Sequence, residues 1–261
     1  MRSLYSCLTL LLLASCGDVK SNNILEIEEN QTSNPKYGKS LPELLASGDA
    51  RRIPDLLPTM YYTPKESTIR CKGGYGGSNY NGNEKQKLLT TKGTYIATVC
   101  KRFASALLME GSAILSDRGD GEIAVNYSRK VNGQARYHVL DRCKFGEGVR
   151  NNLCLLPYHT IAADNKVHKV NEIIHIPAAE GIRLPDGSIH EGYFIVRDTG
   201  GAFKGIGPKR VDLFVGTDPD HDNAFQKAGF HHKRALDAFK ITGESAERIK
   251  ERLKDKFGDL Y

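Results

Sequence analysis

Two aspartates stand where apolar β sequence would ordinarily exclude them. Residues 193–218 read YFIVRDTGGAFKGIGPKRVDLFVGTD. Tyr193, Phe194, Ile195 and Val196 are aromatic or β-branched residues of a strand, which runs out at Asp198 and Thr199. The pair Gly200-Gly201 and the turn-rich run at 205–208 follow, and a second strand, residues 211–215, carries Asp212 inside it. A carboxylate in an apolar β run is costly to bury unless it is paired or used. One at the end of a strand and one within the next can meet at a single site. There, like charge and low dielectric would raise a pKa enough for general acid–base work near neutrality. The same residues also fit a capped turn and one exposed polar position.

The wording of this stretch favours the first reading. DTGGAFKG followed by KRVDLFVG resembles the three-aspartate domain of the membrane-bound lytic transglycosylase A family. The third aspartate of that pattern is Asp164, in LPYHTIAADNKV, and the likeness covers residues 155–218. MYYTP at 60–64 and MEGSAIL at 109–115 look like shorter signatures of the same family. The resemblance implies a mainly β fold: a six-stranded double-psi β-barrel with short flanking helices and a C-terminal helix. It implies an enzyme that breaks the MurNAc–GlcNAc β-1,4 bond of peptidoglycan glycan strands and leaves 1,6-anhydro-MurNAc. Mapped by motif position, Asp212 is the acid/base with Asp198 beside it, and Asp164, Thr160, Gly200, Gly201, Lys204, Arg210 and Tyr62 face the substrate. A monomer without cofactor or metal is expected. A lysozyme-like hydrolase and a non-catalytic peptidoglycan-binding lipoprotein are the alternatives. Two departures qualify the match. Asn165 and VHKVNE replace the usual turn after the third aspartate, and only residues 116–154 fill the interval where large relatives carry a second domain. The groove should accordingly be more open.

These residues need elements to hold them and a route to the cell wall. Arg2 followed by the short apolar run 8–14 reads as a signal peptide, too short to span a bilayer as a folded helix. Leu13-Ala14-Ser15-Cys16 resembles a bacterial lipobox, which would make residues 1–15 a lipoprotein signal and Cys16 the lipidated residue. Gly17 after that cysteine favours the outer membrane, hence a periplasmic enzyme anchored by lipid. An ordinary secretory peptide with an incidental cysteine is the alternative. Residues 16–40 are polar and read as a tether. Residues 41–85 read as an N-terminal segment of one or two short helices over 41–57 and a Gly/Asn-rich loop, with a strand at 60–64. Residues 86–218 are assigned to the barrel domain and 219–261 to a helical extension ending in the charged helix SAERIKERLKDKF. Strands are expected at 88–99, 110–115, 123–127, 137–140 and 173–176, and a helix at 100–109.

Composition agrees with that location. With Cys7 and Cys16 set aside, Cys71, Cys100, Cys143 and Cys154 remain, an even number suited to an oxidising compartment. Cys143 and Cys154 flank a loop and are paired here, which leaves Cys71 with Cys100. The seven histidines from His159 to His232 lack zinc-ligand spacing. The D-x-D-x-D of residues 218–222 lacks the glycine and bidentate glutamate of a calcium loop and reads as a solvated loop with a helix cap. The net charge of +6 suits anionic wall polymers. Nucleic acid, the other partner a basic chain suggests, finds no recognition motif here.

Overall fold

The computed structural model describes residues 39–119, 121–149, 153–203, 205–219 and 221–261. The expected signal peptide and lipobox with Cys16, most of the expected tether, and Lys204 lie outside these residues. Helix α1 (Leu41–Ala46) leads into the long strand β1 (Ala50–Tyr61). A satellite follows: β2 (Lys72–Tyr75), β3 (Ser78–Asn81), β4 (Lys85–Leu89), β5 (Tyr95–Cys100), α2 (Lys101–Glu110), β6 (Ser112–Leu115), β7 (Ile123–Val131) and β8 (Gln134–Val139). The chain then runs through β9 (Thr160–Ala163), β10 (Ile173–His175), β11 (Tyr193–Asp198), β12 (Arg210–Phe214), α3 (Ala224–Lys227), β13 (Leu236–Ile241) and α4 (Gly243–Phe257). Among these residues no helix is long and apolar enough to cross a membrane.

Six strands close a barrel in the order β1-β12-β9-β11-β10-β13. β1 pairs parallel with β12, and β9 parallel with β11, while the other contacts are antiparallel. The interior is filled by alternate residues of these strands, including Ile161, Ala163, Phe194, Val196, Val211 and Leu213, all fully buried. This is the six-stranded barrel the motif implied, but it does not lie within residues 86–218. Its first strand precedes that range and its last follows it.

Both strands escape sequence reading for physical reasons. In β1 the buried residues Ala50, Ile53 and Leu56 recur every third position, which mimics a helix. The cause is a bulge between Ile53 and Leu56, where Asp55 takes a positive φ of 50° and the strand changes partners from β13 to β12. The helix expected over 41–57 is therefore confined to Leu41–Ala46. In β13 the sequence LDAFKI is too short and too polar to stand out from the charged tail.

The satellite has its own core. Phe103, Ala104 and Leu107 of α2 pack on Leu88, Val99, Leu115, Val125 and Tyr137. α2, expected over 100–109, ends at a left-handed glycine, Gly111, whose N–H returns to the Leu107 carbonyl at 2.9 Å. The single strand expected at 88–99 is a hairpin, β4–β5, turned at Thr90–Thr94. Disulfides join Cys71 to Cys100 and Cys143 to Cys154. A third cluster seats Ala246, Ile249 and Leu253 of α4 on Ile195 and Ile241, so the tail helix braces the barrel wall beside β11.

Candidate active site

Strand β9 explains why the two aspartates meet. Its Ala162 is the register partner of Asp212 on β12 and of Asp198 on β11, so the carboxyls flank one small residue. At ordinary strand spacing the two backbones stand about 10 Å apart across β9, near enough for the side chains to feel each other's charge. Their sharing of a face is not automatic. In β11, Phe194 and Val196 point into the barrel, and strict alternation would send Asp198 there too. A register shift between Val196 and Asp198 makes Arg197 an extra residue and turns Asp198 onto the outer face with Ala162 and Asp212.

Arg197 holds that bulge. Its side chain is 1% exposed. Nη1 donates to the carbonyls of Cys154 at 2.8 Å and Leu260 at 3.1 Å, Nη2 donates to that of Tyr261 at 3.0 Å, and the guanidinium lies 4.2 Å from the Tyr261 ring centre. Its carbonyl accepts the Val149 N–H at 2.9 Å. Gly148 passes so close that a Cβ there would be 2.0 Å from the same oxygen, so only glycine fits.

The two carboxyls are held differently. Asp198 Oδ1 accepts the Thr199 N–H at 2.8 Å, and the Thr199 hydroxyl donates to the Ala163 carbonyl at 2.7 Å. Tyr61, buried against Phe214 with ring centres 5.1 Å apart, directs its hydroxyl toward Asp198 without closing a hydrogen bond. Asp212 keeps 21% side-chain exposure, but its Oδ1 is buried and has no hydrogen-bond partner among the described residues. The guanidinium of Arg210 is 4.0 Å away and donates instead to Thr59 at 3.3 Å. Both aspartates are raised to about 6, by burial above all; at Asp198 the Thr199 N–H and the Tyr61 hydroxyl oppose the rise and the charge of Asp212 adds a little to it. Arg210 is the counterweight for Asp212. The donors around Asp198 favour its anion, and the orphaned oxygen of Asp212 favours a bound proton.

Two carboxyls that burial raises into the same pH range, one needed with its proton and one without, give activity an acidic and a basic limb. Turnover here should therefore be bell-shaped in pH, with its maximum near 6. A kcat/KM profile flat from about pH 5 to 8 would show that the two carboxyls do not share the reaction.

The other expected residues divide. Asp164 is 4% exposed; its Oδ2 accepts the Gly205 N–H and its Oδ1 the Lys166 N–H, both at 3.0 Å. These bonds lower its pKa and make it the anchor of the loop between β11 and β12. Thr160 is fully buried and its hydroxyl accepts the Leu156 N–H at 2.8 Å, which takes it out of reach of any substrate. A side chain at Gly200 would meet the Phe203 ring at 3.0 Å, whereas Gly201 faces open space. Tyr62 leans on the barrel core and meets the Tyr75 hydroxyl, which donates to Glu110 at 2.7 Å. Tyr61, Thr199 and Ala162 were not singled out by sequence. The Tyr61-Tyr62 pair was the available signal, because adjacent strand residues face opposite ways and one of the two had to face the aspartates. In the 218–222 loop Asp218 accepts the Tyr158 hydroxyl, Asp222 pairs with Lys227 at 2.8 Å, and Asn223 caps α3.

Residues 159–245, which hold Asp164, Asp198 and Asp212 together, match the family model described as the 3D domain. The segment is similar to a 3D domain. This segment supplies β9 to β13, five of the six barrel strands, and β1 completes the wall beside Asp212. No curated protein matches the chain. Solved structures similar to it include a membrane-bound lytic murein transglycosylase from Agrobacterium tumefaciens, at 14% identity over 76% of this chain and 77% of that one, with a TM-score of 0.46. MltA from Escherichia coli is similar at 13% identity over 77% and 78%, TM-score 0.43, and its complex with chitohexaose at 14% over the same shares, TM-score 0.43.

Proposed function

We propose that this chain is a peptidoglycan lytic transglycosylase with Asp212 as its acid/base. The observation that carries the reading is the pair Asp198 and Asp212, raised to about 6 on either side of Ala162 within the segment that matches the 3D domain. Asp212, protonated, gives its proton to the glycosidic oxygen; Asp198, ionised, faces the cationic character that develops at the anomeric carbon. A glycan strand is the substrate class proposed here, in keeping with the match of residues 159–245 to the 3D domain. Two disulfides suit an oxidising compartment outside the cytoplasm, where the wall lies.

The nucleophile follows from the direction of the two carboxyls. Both project from one face of the barrel wall, so neither stands across the sugar ring to activate a water there. The C6 hydroxyl of the muramic residue is tethered to the reacting centre and has a high effective molarity. Asp212, now ionised, takes its proton, and a 1,6-anhydro end forms. Mass spectrometry of digested peptidoglycan checks this. Anhydro-muropeptides, lighter than the hydrolysed form by one water, are the expected products, and reducing ends as the main product would show a hydrolase.

A further inference from the structure

A cavity of about 580 Å³ opens between the satellite and the barrel, and neither aspartate of the pair lines it. Its volume falls within the roughly 300–1,000 Å³ of small-ligand sites. Lys65, Arg142 and Lys144 bring positive charge to its wall, and Glu122 and Asp141 negative charge. Lys65 and Glu122 pair at 2.8 Å, and the Lys144 ammonium lies 5.0 Å from the ring centre of Phe145. Interspersed charge of both signs is a poor fit for a neutral sugar or a uniform polyanion. It fits a ligand that carries carboxylates and an amine together.

The cavity adjoins the aspartates through Phe145. That ring packs on the cluster of Tyr61, Ala162, Phe203 and Phe214, in which Ala162 is the residue between the two carboxyls. The Phe145 carbonyl accepts the Thr63 hydroxyl, which ties the cavity wall to the end of β1. Thr217 on the rim follows Asp212 by five residues, a reach of at most about 18 Å even for extended chain.

We propose that this cavity binds the peptide stem of peptidoglycan, a short peptide with several carboxylates and one free amine borne by the muramic sugar. The proposal rests on the glycan-cleaving reading above, which puts that sugar at Asp212. Arg142 and Lys144, both exposed, meet the stem's carboxylates, and Asp141 meets its amine.

Calorimetric titration of the Asp212→Asn chain with the tetrapeptide Nα-acetyl-L-Ala-γ-D-Glu-meso-diaminopimelyl-D-Ala, whose one free amine is that of the diaminopimelyl residue, tests it directly. Saturable binding is expected, weakened about tenfold by adding Arg142→Ala and Lys144→Ala, and likewise by acetylating the amine. Absence of binding at millimolar peptide, or binding indifferent to both residues, would overturn it. In turnover, the otherwise native chain should cut peptide-bearing strands with about tenfold higher kcat/KM than amidase-stripped strands, and the double variant should lose only that preference. A chain that binds the tetrapeptide yet cuts neither substrate refutes the enzymatic reading and keeps the stem site. One that cuts both equally and ignores the tetrapeptide refutes the stem site alone.

Discussion

Asp212→Asn should lower turnover of glycan strands on the order of 10³-fold and, above pH 6, make the protein more stable. Both effects have one cause. The native fold surrounds Asp212 with strand and leaves Oδ1 without a donor, so its folded pKa, about 6, lies above the unfolded value. A carboxyl raised in this way favours folding while protonated, and that advantage is lost as pH rises from about 4 through 6. At pH 8 the native state carries an anion it solvates poorly, at a cost of up to about 3 kcal/mol. Asparagine has the same shape, no charge and no acidic proton. Thermal melts at pH 4 and pH 8 should then show the variant level with wild type at the lower pH and several degrees above it at the higher, while turnover is lost at both. Undiminished turnover would remove Asp212 from the chemistry. Lost turnover without the high-pH stabilisation would show that its charge is solvated after all.

Arg197→Met should destabilise the fold by about 2–4 kcal/mol, because it leaves the carbonyls of Cys154, Leu260 and Tyr261 without the donors that now satisfy them. It should also slow catalysis in the folded fraction. Arg197 is the extra residue of the bulge that turns Asp198 outward, and a displacement of about 1 Å at a reacting group costs on the order of 10²-fold. The loss should appear in kcat with KM nearly unchanged, since Arg197 does not face the substrate. Arg197→Lys should recover little of either, because one ammonium cannot reach three carbonyls in a fixed fork. A variant that melts like wild type and keeps its kcat would show that the bulge is held by the backbone alone.

The sequence displayed the catalytic candidates but not their arrangement. Asp198 and Asp212 were legible because an acid in an apolar strand is conspicuous. Ala162 was not, because an alanine in an apolar run gives no sign that it will lie between them. The bulge at Arg197 was hidden for a similar reason. VRD reads as ordinary alternation until the pairing with Ile161 and Ala162 is known. Thr160 and Asp164 have the residue types of ligand contacts, and only burial and hydrogen-bond geometry show them occupied by backbone. Cys143 with Cys154 was readable because so short a loop leaves few other partners, and the tail helix because its Glu and Lys residues repeat at helical spacing.

The pairing of β1 with β13 has a consequence for the order of assembly. Ala50 lies opposite Ile241 in the barrel seam, and Asp212's strand is wedged between β9 and that same early strand. The satellite draws its contacts from a continuous stretch of chain and can condense as soon as that stretch is free. The barrel must instead bring its first and last strands together across nearly the whole polypeptide, an entropically slow step. Until then β1 keeps an open edge, although β12, β9 and β11 can already pair and set the two carboxyls on one wall. A chain threaded outward from its N-terminus would thus bring its two aspartates together on an open sheet, and only the arrival of its last strand would close that sheet behind them.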